Sequence, residues 1–140
     1  MKVSEIMSRP VITVMADTGI KEAACLLAEL GVSVLPVVDA KGRLVGIVSE
    51  ADLLTRGTTP RSVIEVMTRE VLTVSATSEV SQAAWTMIDA GVKRVPVLRG
   101  HRLVGVLSRR DLVSVIARSG HDHGPARRLA ESVRTAHAGA

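Results

Sequence analysis

Two short segments of the chain place a serine three residues before an aspartate. Ser49 and Asp52 lie in GIVSEADLL, and Ser108 and Asp111 lie in GVLSRRDLV. This spacing is typical of a helix N-terminus, because each side chain accepts a hydrogen bond from a free backbone N–H. The same residues also suit a nucleotide. A helix N-terminus with a hydroxyl favours a phosphate, and a carboxylate accepts hydrogen bonds from the hydroxyls of a ribose. Both interpretations remain open at this point.

The two segments belong to an internal repeat. A shift of 60 aligns residues 6–38 with residues 66–98 at 12 of 33 positions, and a shift of 59 aligns residues 42–54 with residues 101–113 at 7 of 13. The one-residue difference falls in a turn, where length changes are tolerated. The sequence therefore predicts two copies of one small unit. The predicted boundaries are residues 1–60 with a linker at 55–62, residues 61–119, and a flexible or weakly helical tail at 120–140.

The hydrophobic pattern changes in the same order within each copy. Residues 11–14 and 71–74 are predicted as short strands rich in β-branched side chains. Apolar residues at i, i+3, i+4 and i+7 then predict a helix that ends at Gly31 or Gly91. Two apolar strands around a short turn follow, and a second helix begins at the serine. The residues expected to cap the first helix are Asp17 or Thr18 in one copy and Thr77 or Ser78 in the other.

The predicted fold class is α+β, with two β-α-β-β-α motifs. A unit of this size has too thin a core to be stable by itself. We therefore expect the two motifs to pack sheet to sheet about a pseudo-twofold axis.

Composition restricts the class of protein. Hydrophobic residues make up 46% of the chain, yet Trp85 is its single aromatic residue, so we expect an aliphatic core and no stacking platform for single-stranded nucleic acid. No apolar run reaches the roughly 18 residues of a membrane span, and the first residues lack a signal-peptide pattern, so we expect a cytoplasmic protein. Residues 61–119 hold nine Lys and Arg against five Asp and Glu, which fits an anionic partner or a solvated basic face.

Motifs for catalysis and metal binding are missing from the sequence. It has no H-E-x-x-H, no C-x-x-C and no Gly-rich phosphate loop. His121, Asp122 and His123 offer three possible metal ligands in a Gly-flanked tail, which are too few to predict a site. We expect no enzyme activity, no metal and no required cofactor.

The two copies resemble a tandem pair of CBS domains, also called a Bateman module. The resemblance rests on IMSRPVITV and VMTREVLTV, on GVSVLPVVD and GVKRVPVL, and on the two serine–aspartate segments. Such pairs form a flattened module with two clefts, many of which bind adenosine nucleotides. The resemblance implies a homodimeric regulatory module that senses AMP, ADP, ATP or S-adenosylmethionine. It would relay binding to an unknown protein target by a conformational or oligomeric change.

The resemblance also implies that the serine and aspartate of one motif face strands of the other. Apolar side chains and strand backbone would hold adenine, and the two aspartates would bind ribose. One cleft would combine Ser108, Arg109 and Asp111 with Met7, Pro10, Ile12, Val32, Ser33 and Val34. The other would combine Ser49 and Asp52 with Met67, Val71, Leu72, Val92, Lys93 and Arg94.

The two copies offer cations at different places. Arg109 and Arg110 follow the serine of the second copy, whereas Glu50 follows the serine of the first. The cleft with Ser108 and Asp111 is therefore predicted to bind phosphate through Arg109 or Arg110. The cleft with Ser49 and Asp52 is predicted to bind phosphate through Lys93 or Arg94.

Two other functions stay open. One is an interaction or scaffold module without a small-molecule ligand, in which the serines and aspartates only cap helices. The other is a nucleic-acid-binding protein that uses the basic second half, which the scarcity of aromatic residues disfavours.

Overall fold

The computed structural model describes residues 1–9, 11–55 and 61–118 of the chain. Each copy of the repeat forms a three-stranded sheet and two α-helices, which confirms the α+β class and the order strand, helix, strand, strand, helix. The first copy comprises β1 (Val14–Met15), α1 (Ile20–Leu30), β2 (Val34–Val38), β3 (Leu44–Ser49) and α2 (Glu50–Thr55). The second comprises β4 (Val74–Ser75), α3 (Val80–Ala90), β5 (Arg94–Arg99), β6 (Arg102–Ser108) and α4 (Arg109–Arg118). Residues 56–60 of the predicted linker and the predicted tail lie outside the described residues.

The described residues form two compact units, and these units exchange the first residues of the two copies. The Asp111 unit combines the described residues of Met1–Val11 with Leu72–Gly100 and residues 104–118. The Asp52 unit combines Ile12–Val71 with His101–Leu103. The sheet-to-sheet packing of the two motifs and their boundaries at residues 60 and 119 stay predictions.

The sheet of the Asp52 unit has the order β1-β2-β3. Strand β1 runs parallel to β2, with Val14 opposite Val37, and β2 runs antiparallel to β3, with Val34 opposite Ser49. This register sets the start of β2 beside the end of β3, where α2 begins. The core is aliphatic, as predicted, and its buried members are Val14, Ala23, Leu27, Leu35, Val37, Val48, Val63, Val66 and Met67.

The sheet of the Asp111 unit repeats this arrangement in the order β4-β5-β6. Strand β4 runs parallel to β5, with Val74 opposite Val97. The connection between β5 and β6 spans two residues, a length that joins antiparallel strands. The buried core consists of Val3, Met7, Val74, Ala76, Val80, Ala83, Ala84, Met87, Val95, Val97, Leu107, Leu112 and Val115.

The first helix of each copy ends as predicted but begins later. Gly31 and Gly91 adopt left-handed conformations with φ of 65° and 70°, which a glycine adopts without a side-chain clash. The residues before α1 and α3 are Gly19 and Glu79, so the predicted caps are wrong. The Thr18 hydroxyl acts in the preceding turn instead, where its Oγ1 accepts a hydrogen bond from the Met15 N–H at 3.0 Å.

The first strand of each copy is shifted from its predicted position. Strands β1 and β4 begin at residues 14 and 74 rather than 11 and 71. Residues 11 and 12 belong to different units, as do residues 71 and 72. The chain therefore passes from one unit to the other within the predicted strands, and sheet pairing begins only afterwards.

A 3₁₀ helix near the start of each copy joins the exchanged residues to their unit. Val3–Glu5 lies in the Asp111 unit, where the Val3 N–H donates to Ser78 O at 2.9 Å. Val63–Glu65 lies in the Asp52 unit, where the Val63 N–H donates to Thr18 O at 2.8 Å. Both valine side chains are completely buried. We call residues 1–9 and 61–69 the leading segments.

Two exposed carboxylates hold the ends of the leading segments. The backbone N–H groups of Arg61 and Ser62 donate to Glu65, and these bonds lower the pKa of Glu65. Glu79 accepts from Lys2 Nζ at 2.7 Å and from the N-terminal amine at 3.2 Å, and these cations lower the pKa of Glu79. Because Glu79 is exposed, its ion pairs with Lys2 and the N-terminal amine add little stability.

A glycine in the last strand of each sheet makes room for the leading segment. A Cβ at Gly46 would lie 2.8 Å from Thr68 O, and a Cβ at Gly105 would lie 2.5 Å from Met7 Sδ. Thr68 and Ile47 exchange two backbone hydrogen bonds of 2.8 and 2.9 Å beside Gly46. The repeated L-V-G sequence therefore allows this close approach.

We predict that Gly46→Ala lowers the free energy of unfolding by about 1–3 kcal/mol, as an overpacked site does. The added methyl group meets the backbone oxygen of Thr68, which cannot move without breaking its bonds to Ile47. Gly105→Ala should cost less, because the atoms nearest its added methyl group belong to the Met7 side chain, and the backbone oxygen of Ser8 lies farther away at 3.2 Å. Urea denaturation of both variants measures the difference. Equal losses would contradict the assignment of the clash to the backbone.

Candidate functional site

The two serine–aspartate pairs form reciprocal helix caps. In the Asp52 unit, the Asp52 N–H donates to Ser49 Oγ at 3.0 Å, and the Ser49 N–H donates to Asp52 Oδ2 at 2.9 Å. In the Asp111 unit, the corresponding distances between Asp111 and Ser108 are 3.1 and 2.9 Å. The capping interpretation is therefore confirmed, and each cap contributes about 1 kcal/mol. Both pairs stand where the last strand of the sheet turns into a helix.

Each aspartate also accepts a hydrogen bond from the leading segment of its unit. Thr68 Oγ1 donates to Asp52 Oδ1 at 3.2 Å, and Ser8 Oγ donates to Asp111 Oδ1 at 2.9 Å. Sequence reasoning missed both hydroxyl residues. The available signal was that Ser8 and Thr68 occupy aligned positions of the repeat, in IMSR and VMTR.

The two aspartates differ in exposure. Asp52 is 7% exposed and is the one charged residue that is buried among the described residues. Asp111 is half-buried. A buried carboxylate needs several hydrogen bonds to offset its loss of hydration, so Asp52 depends more strongly on its donors than Asp111 does.

The starts of β5 and α4 in the Asp111 unit carry four cations. Lys93, Arg94, Arg109 and Arg110 are all exposed, and none of them forms a salt bridge with another described residue. The Arg109 N–H donates to Lys93 O at 3.0 Å, and Arg109 Nε donates to Val92 O at 3.0 Å. The start of β5 is thereby joined to the first residue of α4, and the Arg109 side chain is held at this junction.

The same junction in the Asp52 unit carries no cation at the aligned positions. The Glu50 N–H donates to Ser33 O at 2.9 Å, as Arg109 does to Lys93. Residues Ser33, Val34, Glu50 and Ala51 align with the four cations of the Asp111 unit. The backbone geometry is thus repeated while the charge is not.

The predicted site residues divide between the two units. Met7, Leu72, Val92, Lys93, Arg94, Ser108, Arg109 and Asp111 lie in the Asp111 unit. Ile12, Val32, Ser33, Val34, Ser49, Asp52, Met67 and Val71 lie in the Asp52 unit. Pro10 lies outside the described residues. Each predicted cleft combines residues of both units, so the two groupings stay predictions.

The described residues contain no group of three or more His, Cys, Asp or Glu side chains that would suit a metal ion. His121, Asp122 and His123 lie outside the described part of the chain. None of the described helices is long and apolar enough to cross a membrane.

Comparison with known proteins identifies the family. The CBS domain profile matches residues 3–57 and 63–118. The chain belongs to the CBS domain family. It spans 22% of the L-aspartate semialdehyde sulfurtransferase of Methanocaldococcus jannaschii, with 33% identity over 79% of this chain. It spans 23% of the inosine-5′-monophosphate dehydrogenase of the same organism, with 32% identity over 80% of this chain.

Solved structures of CBS pairs match the fold over most of the chain. CBSX2 was solved in complex with AMP, and it is 28% identical to this chain. Its TM-score is 0.77 over 86% of this chain and 98% of that chain. A second structure of this CBS-pair protein is that of CBSX2 from Arabidopsis thaliana. The CBS domain pair of protein MJ0100, in complex with 5′-methylthioadenosine and S-adenosyl-L-methionine, is 31% identical. Its TM-score is 0.70 over 84% of this chain and 96% of that chain.

We predict that Thr68→Val lowers the free energy of unfolding by about 1–3 kcal/mol, because it removes a donor from a buried carboxylate. Ser8→Ala should cost less, since water can replace the hydroxyl at the half-buried Asp111. Thr73→Val is a matched control, because no hydrogen bond of the Thr73 hydroxyl is seen among the described residues. Urea denaturation compares the three variants. A loss in Ser8→Ala as large as that in Thr68→Val would contradict the difference between the two carboxylates.

Proposed function

We propose that this CBS pair is a regulatory module that binds an adenosine-containing nucleotide. The observation that carries the proposal is the number of hydrogen-bond acceptor positions that the Asp111 carboxylate still offers. A carboxylate offers about four acceptor positions. Among the described residues, two are used, by the Ser108 N–H and the Ser8 hydroxyl. The remaining two match the two hydroxyls of a ribose.

The ligands of related proteins support the class of compound. CBSX2 is similar to this chain over 98% of its length and binds AMP, and the MJ0100 pair binds 5′-methylthioadenosine and S-adenosylmethionine. These ligands share adenosine and differ at the 5′ substituent. We therefore propose adenosine as the constant part of the ligand, with AMP, ADP, ATP and S-adenosylmethionine as candidates.

Exposed apolar side chains support a position for adenine. Ile12, Val34 and Leu72 belong to the predicted clefts, and they are 49%, 40% and 41% exposed. Large aliphatic side chains with this exposure offer contact area to a flat apolar base. In the proposal, one cleft combines the Ser108 and Asp111 pair with strands of the first copy, and the other combines the Ser49 and Asp52 pair with strands of the second.

The proposed output is a change in conformation or oligomeric state that an unidentified protein target detects. A ligand shifts such an equilibrium only when it binds one state more tightly than the other. A cleft completed by both copies would provide this difference, because the ligand would bind tightly only when both copies contribute. The proposal is for a cytoplasmic regulatory protein and not for an enzyme.

A homodimer is part of the proposal. Helices α3 and α4 pack against each other and leave Trp85, Val113 and Ile116 at 38%, 62% and 43% exposure. Apolar side chains at this exposure on neighbouring helices support contact with a second copy.

We expect AMP, ADP, ATP or S-adenosylmethionine to raise the melting temperature of the wild type. A ligand at 100 times its Kd adds about 2.7 kcal/mol to the free energy of unfolding. Asp111→Ala should lower the melting temperature without ligand, because the cap is lost, and should also remove the rise caused by the ligand. Asp89→Ala is the matched control, since it removes an exposed carboxylate of α3. Thermal denaturation with and without each compound measures both effects.

Two outcomes would favour the other functions. If no adenosine compound changes the melting temperature and Asp111→Ala affects only the free protein, the module acts as a scaffold whose aspartates are caps. Strongly salt-dependent binding to unrelated DNA would favour a nucleic-acid-binding protein.

A further inference from the structure

The two helices of the Asp52 unit expose an acidic surface. Helices α1 and α2 pack against each other. On α1, Glu22, Cys25 and Glu29 are exposed, and their spacing of three and four residues places them on one side of the helix. On α2, Glu50 and Leu54 are exposed at a spacing of four. We call these two helices the acidic helix pair.

The two helices of the Asp111 unit expose a basic surface at the aligned positions. Helices α3 and α4 also pack against each other. Gln82, Trp85 and Asp89 of α3 align with the three α1 residues, and all three are exposed. On α4, the exposed Arg109 and Val113 align with the two α2 residues. We call these two helices the basic helix pair.

The two helix pairs carry opposite net charges. The exposed ionised side chains of the acidic helix pair have a net charge of −2, and they are Lys21, Glu22, Glu29 and Glu50. Those of the basic helix pair have a net charge of +2, and they are Asp89, Arg109, Arg110 and Arg118. None of these side chains forms a salt bridge with another described residue. The charge of each helix pair is therefore available to a partner.

Apolar side chains lie among these charges. Leu54 is 84% exposed on the acidic helix pair, and Val113 and Trp85 are 62% and 38% exposed on the basic helix pair. Exposed apolar side chains with charged neighbours are typical of a protein–protein contact. Trp85 aligns with the smaller Cys25, so a contact between unlike helix pairs sets a large residue against the surface that carries a small one. The partner that fits the basic helix pair is a protein surface that is acidic and partly apolar.

A second copy of the chain carries such a surface. Its acidic helix pair has the opposite net charge, and it exposes Leu54 at the position aligned with Val113. A contact between like helix pairs would instead set +2 against +2 or −2 against −2, and like charges repel each other. Electrostatic complementarity therefore selects the contact between unlike helix pairs.

We infer that the homodimer is head to tail, with the acidic helix pair of each copy in contact with the basic helix pair of the other. This inference rests on the homodimer of the proposed function and adds which surfaces meet. Each chain carries both surfaces, so the contact is made twice and closes a dimer with twofold symmetry. Glu50 meets a cation in either direction of α2 along α4, because Arg109 and Arg110 begin α4 and Arg118 ends it.

Sedimentation velocity of the full chain without nucleotide tests the inference. Glu50→Arg/Ala51→Arg gives α2 the first two residues of α4, and Arg109→Glu/Arg110→Ala gives α4 those of α2. The first variant makes both helix pairs positive and the second makes both negative, so each should raise the Kd of dimerisation at least about tenfold.

The combined variant exchanges the residues of both helices. It leaves the net charge of the chain at +4 and gives the two helix pairs opposite charges again. The acidic helix pair becomes positive and the basic helix pair becomes negative. Attraction between them should return the Kd to within about fivefold of the wild-type value.

A matched control separates local charge from net charge. Ala40→Arg/Glu70→Arg makes the same two types of substitution at exposed positions outside both helix pairs. It should leave the Kd within about threefold of the wild-type value, because salt screens charges that lie away from the contact.

Trp85 gives a second readout, since it is the single aromatic residue of the chain. Its fluorescence emission should move to shorter wavelength as the concentration of the wild type or the combined variant rises. The two variants with like charges should not show this change over the same concentrations. Far-UV circular dichroism checks that every variant is folded.

The alternative contact between like helix pairs predicts changes of opposite sign. If the basic helix pair contacted itself, Arg109→Glu/Arg110→Ala would strengthen the dimer and Glu50→Arg/Ala51→Arg would leave it unchanged. Either result would overturn the inference. A combined variant that is folded but monomeric, a control that weakens the dimer as much as Glu50→Arg/Ala51→Arg, or oligomers that keep growing with concentration would overturn it too. In each of these cases the adenosine-binding proposal stands.

Failure of the proposed homodimer gives a different result. If the wild type is monomeric at every concentration, both the inference and the homodimer of the proposed function are wrong. Adenosine binding is decided separately, by the thermal denaturation of the wild type with each compound.

Discussion

The reciprocal hydrogen bonds between a serine and an aspartate hold the rest of each site in place. The serine is the last residue of a strand and the aspartate lies in the first turn of the following helix, so the two bonds set how the helix leaves the sheet. The first N–H groups of a helix have no partner within it, and these side chains satisfy two donors at each junction. The carboxylate is thereby fixed in position, and in the proposed function this capping carboxylate also binds the ribose. An aspartate that caps one N–H retains acceptor positions for other donors.

The leading segment ties this carboxylate to a distant part of the chain. Ser8 and Asp111 are 103 residues apart in sequence, and their side chains are hydrogen-bonded. The glycine that precedes Val106 allows Ser8 to pair with that strand, because a side chain there would meet Met7 and Ser8. A ligand that binds the carboxylate therefore contacts a group whose position depends on the leading segment. In the proposed function, this contact is a physical route from ligand binding to chain conformation.

The two copies keep one scaffold and differ in charge. Their aliphatic cores, left-handed glycines and capped helices correspond element by element, whereas the residue after the capping serine is Glu50 in one copy and Arg109 in the other. Packing constrains the buried positions, since a change of even one methylene affects a close-packed core. Exposed positions beside the caps have no such constraint, so their charge can differ between the two copies. Asp52 and Asp111 show the same division, because one is held as a buried group and the other remains accessible.

Local patterns were enough to determine the repeat, the order of its elements and the caps of α2 and α4. These features depend on residues within one or two turns of each other, as the bonds between Ser108 and Asp111 do, so spacing in the sequence predicts them. The caps of α1 and α3 were predicted wrongly, because hydroxyls such as that of Thr18 serve equally well in the turn before the helix. Only the tertiary structure decided which leading segment joins which sheet, that Ser8 and Thr68 reach the aspartates, and that Asp52 is buried while Asp111 is not. These outcomes depend on contacts between residues far apart in the chain, and no local spacing records which distant segment will occupy a given surface.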